Sequence, residues 1–328
     1  MDIFINPIFY SYFEKYLLTL VDVGASGGIL PHWRRAEKFL RRLGFEPDTQ
    51  EFHKLTRSTD RNTIYLNTAL HKEKASLDFY CTRKQECSSL FSPNRYFLNA
   101  FPAPDRFDVV EKVKLDTDSL DNQLGQAGVS DVDFIKIDTQ GSELAILEGA
   151  RTALASILGI EVEVEFSQIY DNQPLFSEVE LCLRTRGFQL FDLAPCYWKR
   201  AKGMRYGKPK GQLIFADALF LRDAKTIGEL LERIQDNEQR KAKLLKALAI
   251  CLLYGYVDYA AELFESQAGI LSPNEVTVFR AFLTKNIPWL SKFPYVPGRN
   301  KLARAFVWLS QMLEYPGWVK KQRYLGNH

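Results

Sequence analysis

Charged side chains interrupt a segment that otherwise has the composition of a buried β-strand. In DFIKIDTQGSELAILEGA, residues 133–150, Lys136 and Asp138 fall among phenylalanine and isoleucine, and Glu143 follows a glycine turn. A carboxylate at the end of a strand can take the proton of a reacting hydroxyl group. Asp138 is therefore the first candidate for a general base or a substrate anchor. Its spacing also permits an alternative role as the N-terminal cap of a helix over residues 142–153.

Three carboxylates follow on the next predicted strand, GIEVEVEF, where Glu161, Glu163 and Glu165 alternate with apolar residues. Alternation places all three on one face of the sheet, where burial is costly unless each carboxylate is paired or reaches water. We expect Lys136 to pair with Glu163. Glu165, nearest the carboxyl end of the strand, would then face the cleft as the second candidate for contact with a substrate hydroxyl. A solvated edge carboxylate is the open alternative for Glu165.

A glycine-rich loop, VDVGASGG at residues 21–28, ends the first predicted strand. Gly24, Ser26 and Gly28 would let the backbone turn sharply and approach a ligand closely. A helix that begins behind such a loop favours an anionic group. A tight strand-to-helix turn without a ligand is the structural alternative.

Two carboxylates narrow the class of ligand. Asp22 lies two residues before the first glycine, and Glu46 follows the loop at the distance where an acid accepts hydrogen bonds from ribose hydroxyls. A carboxylate at Asp22 would repel the pyrophosphate of a nicotinamide dinucleotide, whereas it suits the amino group and sulfonium of S-adenosylmethionine. S-adenosylmethionine is therefore the predicted cofactor, with a nicotinamide cofactor as the alternative.

The segments that position these residues alternate between strand-like and helix-like patterns over residues 19–222. Such alternation predicts an α/β domain with a mostly parallel sheet. Within it, HWRRAEKFLRRL (residues 32–43) has the pattern of a helix, and GFEPD (residues 44–48) predicts a short second strand. Residues 223–328 have helical spacing instead, which predicts a C-terminal all-helical appendage for capping, formation of a homodimer or another interaction.

The composition is that of a soluble globular protein, because 46% of the 328 residues are hydrophobic and 25% are charged. The net charge of +3 argues against a dedicated nucleic-acid binder. Five cysteines without a CxxC pair exclude a disulfide framework and a zinc site, and they favour a reducing, cytoplasmic location. No metal-ligand spacing is recognisable, so no bound metal is expected. The longest apolar run is too short to span a bilayer.

Taken in order, these motifs resemble the FkbM family of S-adenosylmethionine-dependent methyltransferases. The resemblance covers about residues 20–222 and includes VDVGASGG, GFEPD and VEVEFSQIYDNQPLFSEVELCLRTRGFQLFDL. Its strongest part is DFIKIDTQGSELAILEGA, which is similar to the family signature K-x-D-x-E-G-x-E-x-x-x-L-x-G-A. One position departs from that signature: Gln140 stands where the family has glutamate, and an amide cannot act as a base.

The resemblance implies a doubly wound, mostly parallel, seven-stranded class I methyltransferase sheet of the Rossmann-like type in residues 1–222. It implies methyl transfer to a hydroxyl group of a small-molecule acceptor, a sugar or glycan, or a natural product. Together with the glycine loop, it implies cofactor contacts from Asp22, Gly24, Ala25, Ser26, Gly28 and Glu46. The reacting end would be lined or supported by Lys136, Asp138 and Glu143, with Glu165 added from the strand pattern.

Two other functions stay open at this point. One is a nicotinamide-dependent oxidoreductase, and the other is a non-catalytic nucleoside-binding or interaction protein, to which Gln140 is the one pointer. The C-terminal segment KLARAFVWLSQMLEYPGWVKKQRY, residues 301–324, combines aromatic and basic side chains as interfacial membrane helices do. It predicts weak peripheral membrane contact, against the alternative that its aromatic residues pack in a core. No nucleic-acid partner is expected.

Overall fold

The structure is a computed structural model that describes residues 2–26, 28–57, 61–206, 209–285, 298–312, 317–321 and 325. Its strands are Leu18–Val23 (β1), Leu40–Phe45 (β2), Thr63–Leu66 (β3), Ala69–Leu70 (β4), Ala75–Thr82 (β5), Val109–Asp118 (β6), Phe134–Ile137 (β7), Gly159–Glu165 (β8), Phe188–Trp198 (β9), Gln212–Arg222 (β10) and Val319–Lys321 (β11).

The α-helices are Pro7–Lys15 (α1), Thr49–Thr56 (α2), Arg95–Leu98 (α3), Leu120–Gln126 (α4), Glu143–Glu148 (α5), Phe176–Arg184 (α6), Ala224–Arg233 (α7), Asn237–Leu253 (α8), Val257–Gln267 (α9), Pro273–Lys285 (α10) and Arg299–Met312 (α11). Short 3₁₀-helices lie at Ile3–Ile5, Pro31–Phe39, Gln85–Cys87, Pro104–Phe107, Ala153–Ala155, Ala201–Gly203 and Ala268–Ile270. None of the helices in the described part of the chain combines the length and apolarity that a membrane span requires.

Within the described residues, eight strands form the main sheet, in the order β11, β9, β10, β8, β7, β1, β2, β3. Strands β8, β7, β1, β2 and β3 run parallel to one another, and β10 runs antiparallel to both of its neighbours. The predicted doubly wound, mostly parallel sheet is therefore confirmed. Strand β11 is an addition, because it comes from the C-terminal region for which the sequence predicts only helices.

The helix predicted over residues 32–43 is divided in the structure between the 3₁₀-helix Pro31–Phe39 and strand β2. The buried side chains of the first part repeat every third residue, at Trp33, Ala36 and Phe39. A spacing of three is the period of a 3₁₀-helix, and over so short a segment it also fits an α-helical pattern. Strand β2 therefore begins earlier than predicted and ends just before Glu46.

The two faces of the main sheet differ in chemistry. One face is apolar along the central strands, where Val21, Ile135 and Val162 are fully buried in a core with residues of α4, α5 and α6. The opposite face starts apolar, at Leu20 and Phe134, where α1, α7, α8 and α9 pack against it. It becomes polar toward the carboxyl ends of the strands. This change along the strands explains why charged residues interrupt segments that otherwise look buried.

A buried ion cluster joins helix α8 to the amino end of β7. The carboxylate of Asp133, which is fully buried, accepts hydrogen bonds from Lys243 Nζ at 2.7 Å and Lys246 Nζ at 2.8 Å. Lys243 Nζ also donates to the half-exposed Asp131 at 2.6 Å. Burial alone would raise the pKa of Asp133, but Lys243 and Lys246 hold it below its usual value. Charge as well as apolar packing therefore holds the C-terminal helices on the sheet.

Strands β4, β6 and β5 form a separate three-stranded sheet, in which β5 and β6 pair as an antiparallel hairpin. The connection between them, residues 83–108, contacts the carboxyl edge of the main sheet. Ser89 Oγ donates to the backbone oxygen of Gln140 at 2.6 Å, and the N–H of Asn94 donates to the backbone oxygen of Ile169 at 2.9 Å. The small sheet thus presents a long loop to the edge where ligands bind in open α/β sheets.

Candidate active site

A row of three charged residues crosses the polar face at the centre of the sheet. Strand register sets Lys136 between Asp22 on β1 and Glu161 on β8. Lys136 Nζ lies 3.6 Å from Asp22 Oδ1 and 3.7 Å from Asp138 Oδ2, and it donates to the backbone oxygen of Gly24 at 3.3 Å. Burial alone would lower the pKa of Lys136, but Asp138 and Asp22 raise it above its usual value. Lys136 is therefore a cation that ties the glycine loop to the end of β7.

The predicted ion pair between Lys136 and Glu163 is wrong. Parallel pairing sets Lys136 opposite Glu161, so Glu163 lies two residues farther toward the carboxyl end of β8. The partner of Glu163 is an amide instead, because Gln140 Nε2 donates to Glu163 Oε1 at 3.0 Å. Register decides which side chains meet across parallel strands, and the strand pattern alone does not give it.

Gln140 is the centre of a hydrogen-bond network at the end of β7. Its φ of +60° is in the left-handed region, which is uncommon for a residue with a side chain. Its backbone oxygen accepts from Ser89 Oγ, and its Nε2 donates to Asp138 Oδ1 at 3.4 Å as well as to Glu163. The Tyr170 hydroxyl lies 2.9 Å from the backbone oxygen of Cys87 and 3.2 Å from Gln140 Oε1, either of which can accept its single proton. The amide therefore offers donors to two carboxyl groups and an acceptor to a phenol.

Glu143 is buried and shapes the turn that carries this network. Its Oε1 accepts from the N–H of Thr139 at 2.9 Å, the hydroxyl of Thr139 at 3.0 Å and the N–H of Gly141 at 3.2 Å. Burial raises the pKa of Glu143, and the backbone hydrogen bonds oppose that shift. Helix α5 has Ser142, not Asp138, at its N-cap, so the capping alternative for Asp138 is wrong. Asp138 is left available to a ligand.

The carboxyl groups at this edge differ in exposure. Asp138 keeps 39% of its side chain exposed, whereas Glu163 and Glu165 are buried. Burial, followed by the nearby charges of Asp138 and Asp217, raises the pKa of Glu163 well above its usual value. Burial and then Glu143 do the same for the pKa of Glu165. These shifts favour the protonated forms of Glu163 and Glu165 and leave Asp138 as the accessible carboxylate of the group.

The C-terminal helices contribute Tyr254 to the polar face. The Tyr254 hydroxyl donates to Glu161 Oε2 at 2.6 Å and accepts from Trp33 Nε1 at 3.2 Å. His32 Nε2 lies 3.7 Å from the same oxygen of Glu161. Burial raises the pKa of Glu161 to about 7, and the Tyr254 hydrogen bond opposes the shift. Glu161 therefore changes its charge near neutral pH.

The glycine loop is held against strand β2. The N–H groups of Gly24 and Ala25 both donate to the backbone oxygen of Phe45, at 3.0 and 3.2 Å. Gly24 has a φ of +76°, and a Cβ there would overlap the backbone oxygen of Asp138, so the position requires glycine. Gly28 also has a positive φ, +75°. Because the first two loop amides are already engaged, they are not donors for the pyrophosphate of a nicotinamide dinucleotide.

Glu46 and Asp22 flank this loop. Glu46 Oε1 accepts from the N–H of Asp48 at 3.0 Å, which orients the carboxylate at the end of β2. Burial raises the pKa of Glu46, and hydrogen bonds from the N–H groups of Asp48 and Ser26 oppose the shift. Among the described residues no donor forms a hydrogen bond with Asp22 Oδ1, although that oxygen is buried. An oriented acid for ribose fits the nucleoside of S-adenosylmethionine, and a buried carboxylate whose Oδ1 has Lys136 Nζ at 3.6 Å but no hydrogen-bond donor fits its amino group.

Comparison with known families agrees with this geometry. A family model for the FkbM methyltransferase domain matches residues 22–190, just over half of the chain. The chain belongs to the FkbM methyltransferase family. Its cofactor is S-adenosylmethionine, and the matched range of the methyltransferase begins at Asp22 and contains every predicted site residue. The range ends within β9, so β10, the C-terminal helices and β11 lie outside it.

Solved structures similar to this methyltransferase have low sequence identity and low TM-scores. Precorrin-6y C5,15-methyltransferase from Geobacter metallireducens is 13% identical over 65% of this chain and 87% of its own, with a TM-score of 0.33. Magnesium protoporphyrin IX methyltransferase from Synechocystis, with bound S-adenosylmethionine, is 7% identical over 66% and 76%, also at 0.33. An S-adenosylmethionine-dependent methyltransferase from Aquifex aeolicus is 13% identical over 66% and 94%, at 0.29. No curated protein matches the chain.

The sequence does not predict several residues of the methyltransferase that lie near these carboxyl groups: Tyr170, Gln173, Asp217, Tyr254 and Lys321. Asp217 carries a usable signal, because it is a lone carboxylate in the apolar strand LIFADALFL, as Asp22 is in its own strand. The others lie in loops, in a helix end or in β11, where no pattern marks them. No group of three His, Cys, Asp or Glu side chains that could hold a metal ion occurs in the described part of the methyltransferase.

Proposed function

We propose that this methyltransferase transfers a methyl group to a hydroxyl oxygen of a neutral, hydroxyl-rich acceptor, such as a sugar, a glycan or a natural product. The observation that carries this proposal is the placement of Asp138. Its partly exposed carboxylate stands at the end of β7 next to the glycine loop, and Lys136 Nζ lies 3.7 Å away. No other carboxylate of the group combines proximity to the cofactor loop with access from solvent among the described residues.

The chemistry requires a base at this place. S-adenosylmethionine supplies a methyl group whose bond to sulfur breaks as the bond from carbon to the acceptor oxygen forms. The hydroxyl proton passes to the carboxylate of Asp138, and the products are a methyl ether and S-adenosylhomocysteine. Lys136 keeps Asp138 beside a positive charge, and the Gln140 amide fixes its second oxygen at 3.4 Å.

The charge of the site selects against anionic acceptors. At the reacting end Lys136 Nζ lies 3.7 Å from Asp138 and Lys321 Nζ lies 3.0 Å from Asp217, while the raised pKa of Glu163 favours its neutral form. Both ammonium groups are already paired with carboxylates, so neither is free to bind a phosphate or carboxylate group of an acceptor. Hydroxyl groups can instead donate hydrogen bonds to carboxylates and accept from the amide of Gln140. A sugar, which carries several hydroxyls and no charge, meets this requirement.

The proposal is tested by a screen with S-adenosylmethionine labelled in its methyl group. Neutral glycosides and polyols, amines, and sugar phosphates are offered in parallel, and the labelled atom of the product is located by NMR. We expect label on oxygen of the neutral acceptors. We expect Asp138→Asn to lower kcat by about 10²- to 10⁴-fold, the usual contribution of a general base. Binding of S-adenosylhomocysteine to that variant should stay within about twofold of wild type, because Asp138 makes no proposed contact with the cofactor.

Two results would contradict the proposal. Label found on nitrogen would show that the acceptor group is an amine and not a hydroxyl. Full activity of Asp138→Asn would show that Asp138 is not the base. Binding of S-adenosylhomocysteine without transfer to any acceptor would favour the non-catalytic alternative that the sequence leaves open.

A further inference from the structure

Strand β11 lies far beyond the matched family range in sequence, but in space it pairs with the carboxyl end of β9, at the edge of the main sheet where β8 ends at Glu165. It pairs antiparallel with the edge strand β9, with Val319 opposite Trp198 and Lys321 opposite Cys196. The N–H of Lys199 donates to the backbone oxygen of Trp318 at 2.8 Å, and its Nζ donates to that of Gly317 at 2.8 Å. Main-chain and side-chain hydrogen bonds therefore both hold this short strand.

Aromatic packing fixes the same segment to the loop of the small sheet. The rings of Trp318 and Trp198 meet edge to face at 5.6 Å. The guanidinium of Arg106 lies 4.5 Å from the ring of Trp318 and 4.7 Å from that of Trp198, as cation–π contacts. Arg106 belongs to the connection that also supplies Ser89 to Gln140. The C-terminal segment is thus built into the same end of the molecule as the reacting groups.

Lys321 extends from β11 across β9 to β10. Its Nζ lies 3.0 Å from Asp217 Oδ2 and 3.4 Å from Asp217 Oδ1. The residue of β9 opposite Asp217 is Ala194, whose short side chain leaves room for the lysine to reach over the strand. On its other side Asp217 is the register partner of Glu163 on β8. The ammonium group of Lys321, held at Asp217 on β10, is therefore one strand away from Glu163, the carboxyl group that Gln140 contacts.

We propose that the C-terminal strand completes the acceptor end of the active site, with Lys321 as a positioning residue for the carboxyl groups of Asp217 and Glu163. The placement of the acceptor at this end rests on the proposed function. The cation and Asp217 both lie outside the matched family range, whereas Glu163 lies inside it, so the family range alone lacks the lysine that this carboxyl group faces.

The electrostatics of the neighbouring groups agree with this role. Burial raises the pKa of Asp217, and Lys321 counteracts that shift. Burial, Asp138 and Asp217 raise the pKa of Glu163, and Lys321 lowers it. Burial alone would lower the pKa of Lys321, but Asp217, and then Glu163 and Asp138, raise it. Removal of this cation should therefore leave the carboxyl groups with more bound protons at neutral pH.

The test counts protons by calorimetry. S-adenosylmethionine is titrated into the full chain at pH 7 in two buffers of different ionisation enthalpy, and S-adenosylhomocysteine, which has no sulfonium charge, is the parallel ligand. The variants are Lys321→Met, Lys321→Arg and, as a charge-matched control on helix α11, Lys301→Met. We expect Lys321→Met to release a few tenths of a proton more than wild type when S-adenosylmethionine binds, and Lys321→Arg to restore the wild-type count. Lys301→Met should leave the count unchanged.

Activity supplies the second readout once the labelled-donor screen has given an acceptor. Lys321→Met should move the acidic limb of the pH profile of kcat/KM to higher pH, because the positive charge of Lys321 acts on Asp138, the proposed base, as well as on Asp217 and favours the ionised carboxylates. A merely structural strand would lower activity equally at every pH. Unchanged proton release and an unshifted pH profile in Lys321→Met would overturn the inference. Since calorimetry uses no acceptor, failure of the hydroxyl proposal leaves the proton count interpretable.

Discussion

The side-chain amide of Gln140 donates a hydrogen bond to Glu163 Oε1 at 3.0 Å, where the sequence predicts the ammonium group of Lys136. Glu163 at the centre of the site thus has a neutral amide as its partner and not the predicted lysine. Lys136 Nζ instead lies 3.6 Å from Asp22 Oδ1 and 3.7 Å from Asp138 Oδ2. The departure from the family signature at Gln140 is therefore part of the local charge balance.

Restoring the family residue tests that balance. Gln140→Glu should replace the amide donor with a carboxylate that faces Glu163 and Asp138, so the pKa of the new carboxyl group should be raised in the folded state. A raised pKa stabilises the fold below the unfolded value and loses that contribution as pH rises, so the variant should be least stable in alkaline buffer. We expect a loss of about 1–3 kcal/mol at pH 8 and a smaller loss at pH 5.

Chemical denaturation at the two pH values measures this difference. Gln140→Met, which removes the donors without adding charge, is the matched control and should lose stability nearly equally at both. A pH-independent effect of Gln140→Glu would show that repulsion between carboxylates is not the cause.

Glu161 should make the stability of the protein depend on pH near neutrality. Burial raises its pKa to about 7 despite the Tyr254 hydrogen bond, and the pKa of an unfolded glutamate is about 4.3. The folded state thus binds more protons than the unfolded state, so this contribution is complete below the unfolded pKa and is lost as pH rises through about 7. At 1.36 kcal/mol per pKa unit, the contribution is at most about 3–4 kcal/mol.

The melting temperatures of wild type and Glu161→Gln between pH 5 and pH 8 check this prediction. The wild-type value should fall with pH more steeply than that of the variant, because the amide keeps the Tyr254 contact and does not titrate. His32, Lys136, Asp22 and Asp217 face the same carboxyl group and stay in both proteins. If the melting temperatures of wild type and Glu161→Gln fell equally with pH, the pH dependence would come from those other groups and not from Glu161.

Glu46 should control affinity for the cofactor. Its carboxylate is oriented by the N–H of Asp48, and an oriented acid accepts two hydrogen bonds from a ribose. Loss of hydrogen bonds to a charged group costs about 1.5–3 kcal/mol, so Glu46→Ala should weaken S-adenosylhomocysteine about 10- to 100-fold. Calorimetric titration gives the value, with Glu51→Ala on helix α2 as the control. Equal affinities of the Glu46 variant and wild type would exclude this site for the cofactor.

Helix α11 should bind anionic membranes weakly. Leu302, Phe306 and Leu309 follow a helical spacing and are 61%, 63% and 48% exposed, and Trp308 is 59% exposed. Lys301 and Arg304 are exposed on the same helix, whereas Arg323 of the C-terminal segment at residues 301–324 lies outside the described residues. An exposed apolar stripe beside basic residues is typical of interfacial helices.

Vesicles that contain phosphatidylserine should therefore sediment part of the protein, and vesicles of phosphatidylcholine should not. Phe306→Ser together with Trp308→Ser should abolish the effect, and Tyr96→Ser, a change at another exposed aromatic side chain, should not. Equal sedimentation with both kinds of vesicle, and equal sedimentation of wild type and the helix variant, would show that helix α11 is not a membrane-binding surface.

The sequence predicts those parts of the site that lie on regular strands. Strand alternation and the glycine loop are local signals, so Asp22, Glu46 and Asp138 could be placed at the carboxyl edge without coordinates. The family signature adds the turn from β7 to helix α5, which carries Gln140 and Glu143. Lys136 is placed correctly on its strand but is given the wrong partner, because register is a property of two strands packed together and not of either sequence.

The remaining residues depend on contacts between segments distant in the chain. Tyr254 meets Glu161 across 93 residues, and Lys321 meets Asp217 across 104. Neither residue differs from its neighbours by type or spacing, so only the folded arrangement identifies it. The 3₁₀-helix at Pro31–Phe39 is mispredicted for a local reason. Its three-residue period is too close to that of an α-helix to be distinguished over nine residues.

The buried cluster of Asp133, Lys243 and Lys246 has a consequence for the order of events on the ribosome. Asp133 is translated 110 residues before Lys243 and 113 before Lys246. At about 5–20 residues per second, the carboxylate waits roughly 5–20 seconds for its cations. During that interval β7 cannot be buried at its amino end without an unpaired charge. The central strand of the catalytic sheet therefore reaches its final environment only after helix α8 has left the exit tunnel.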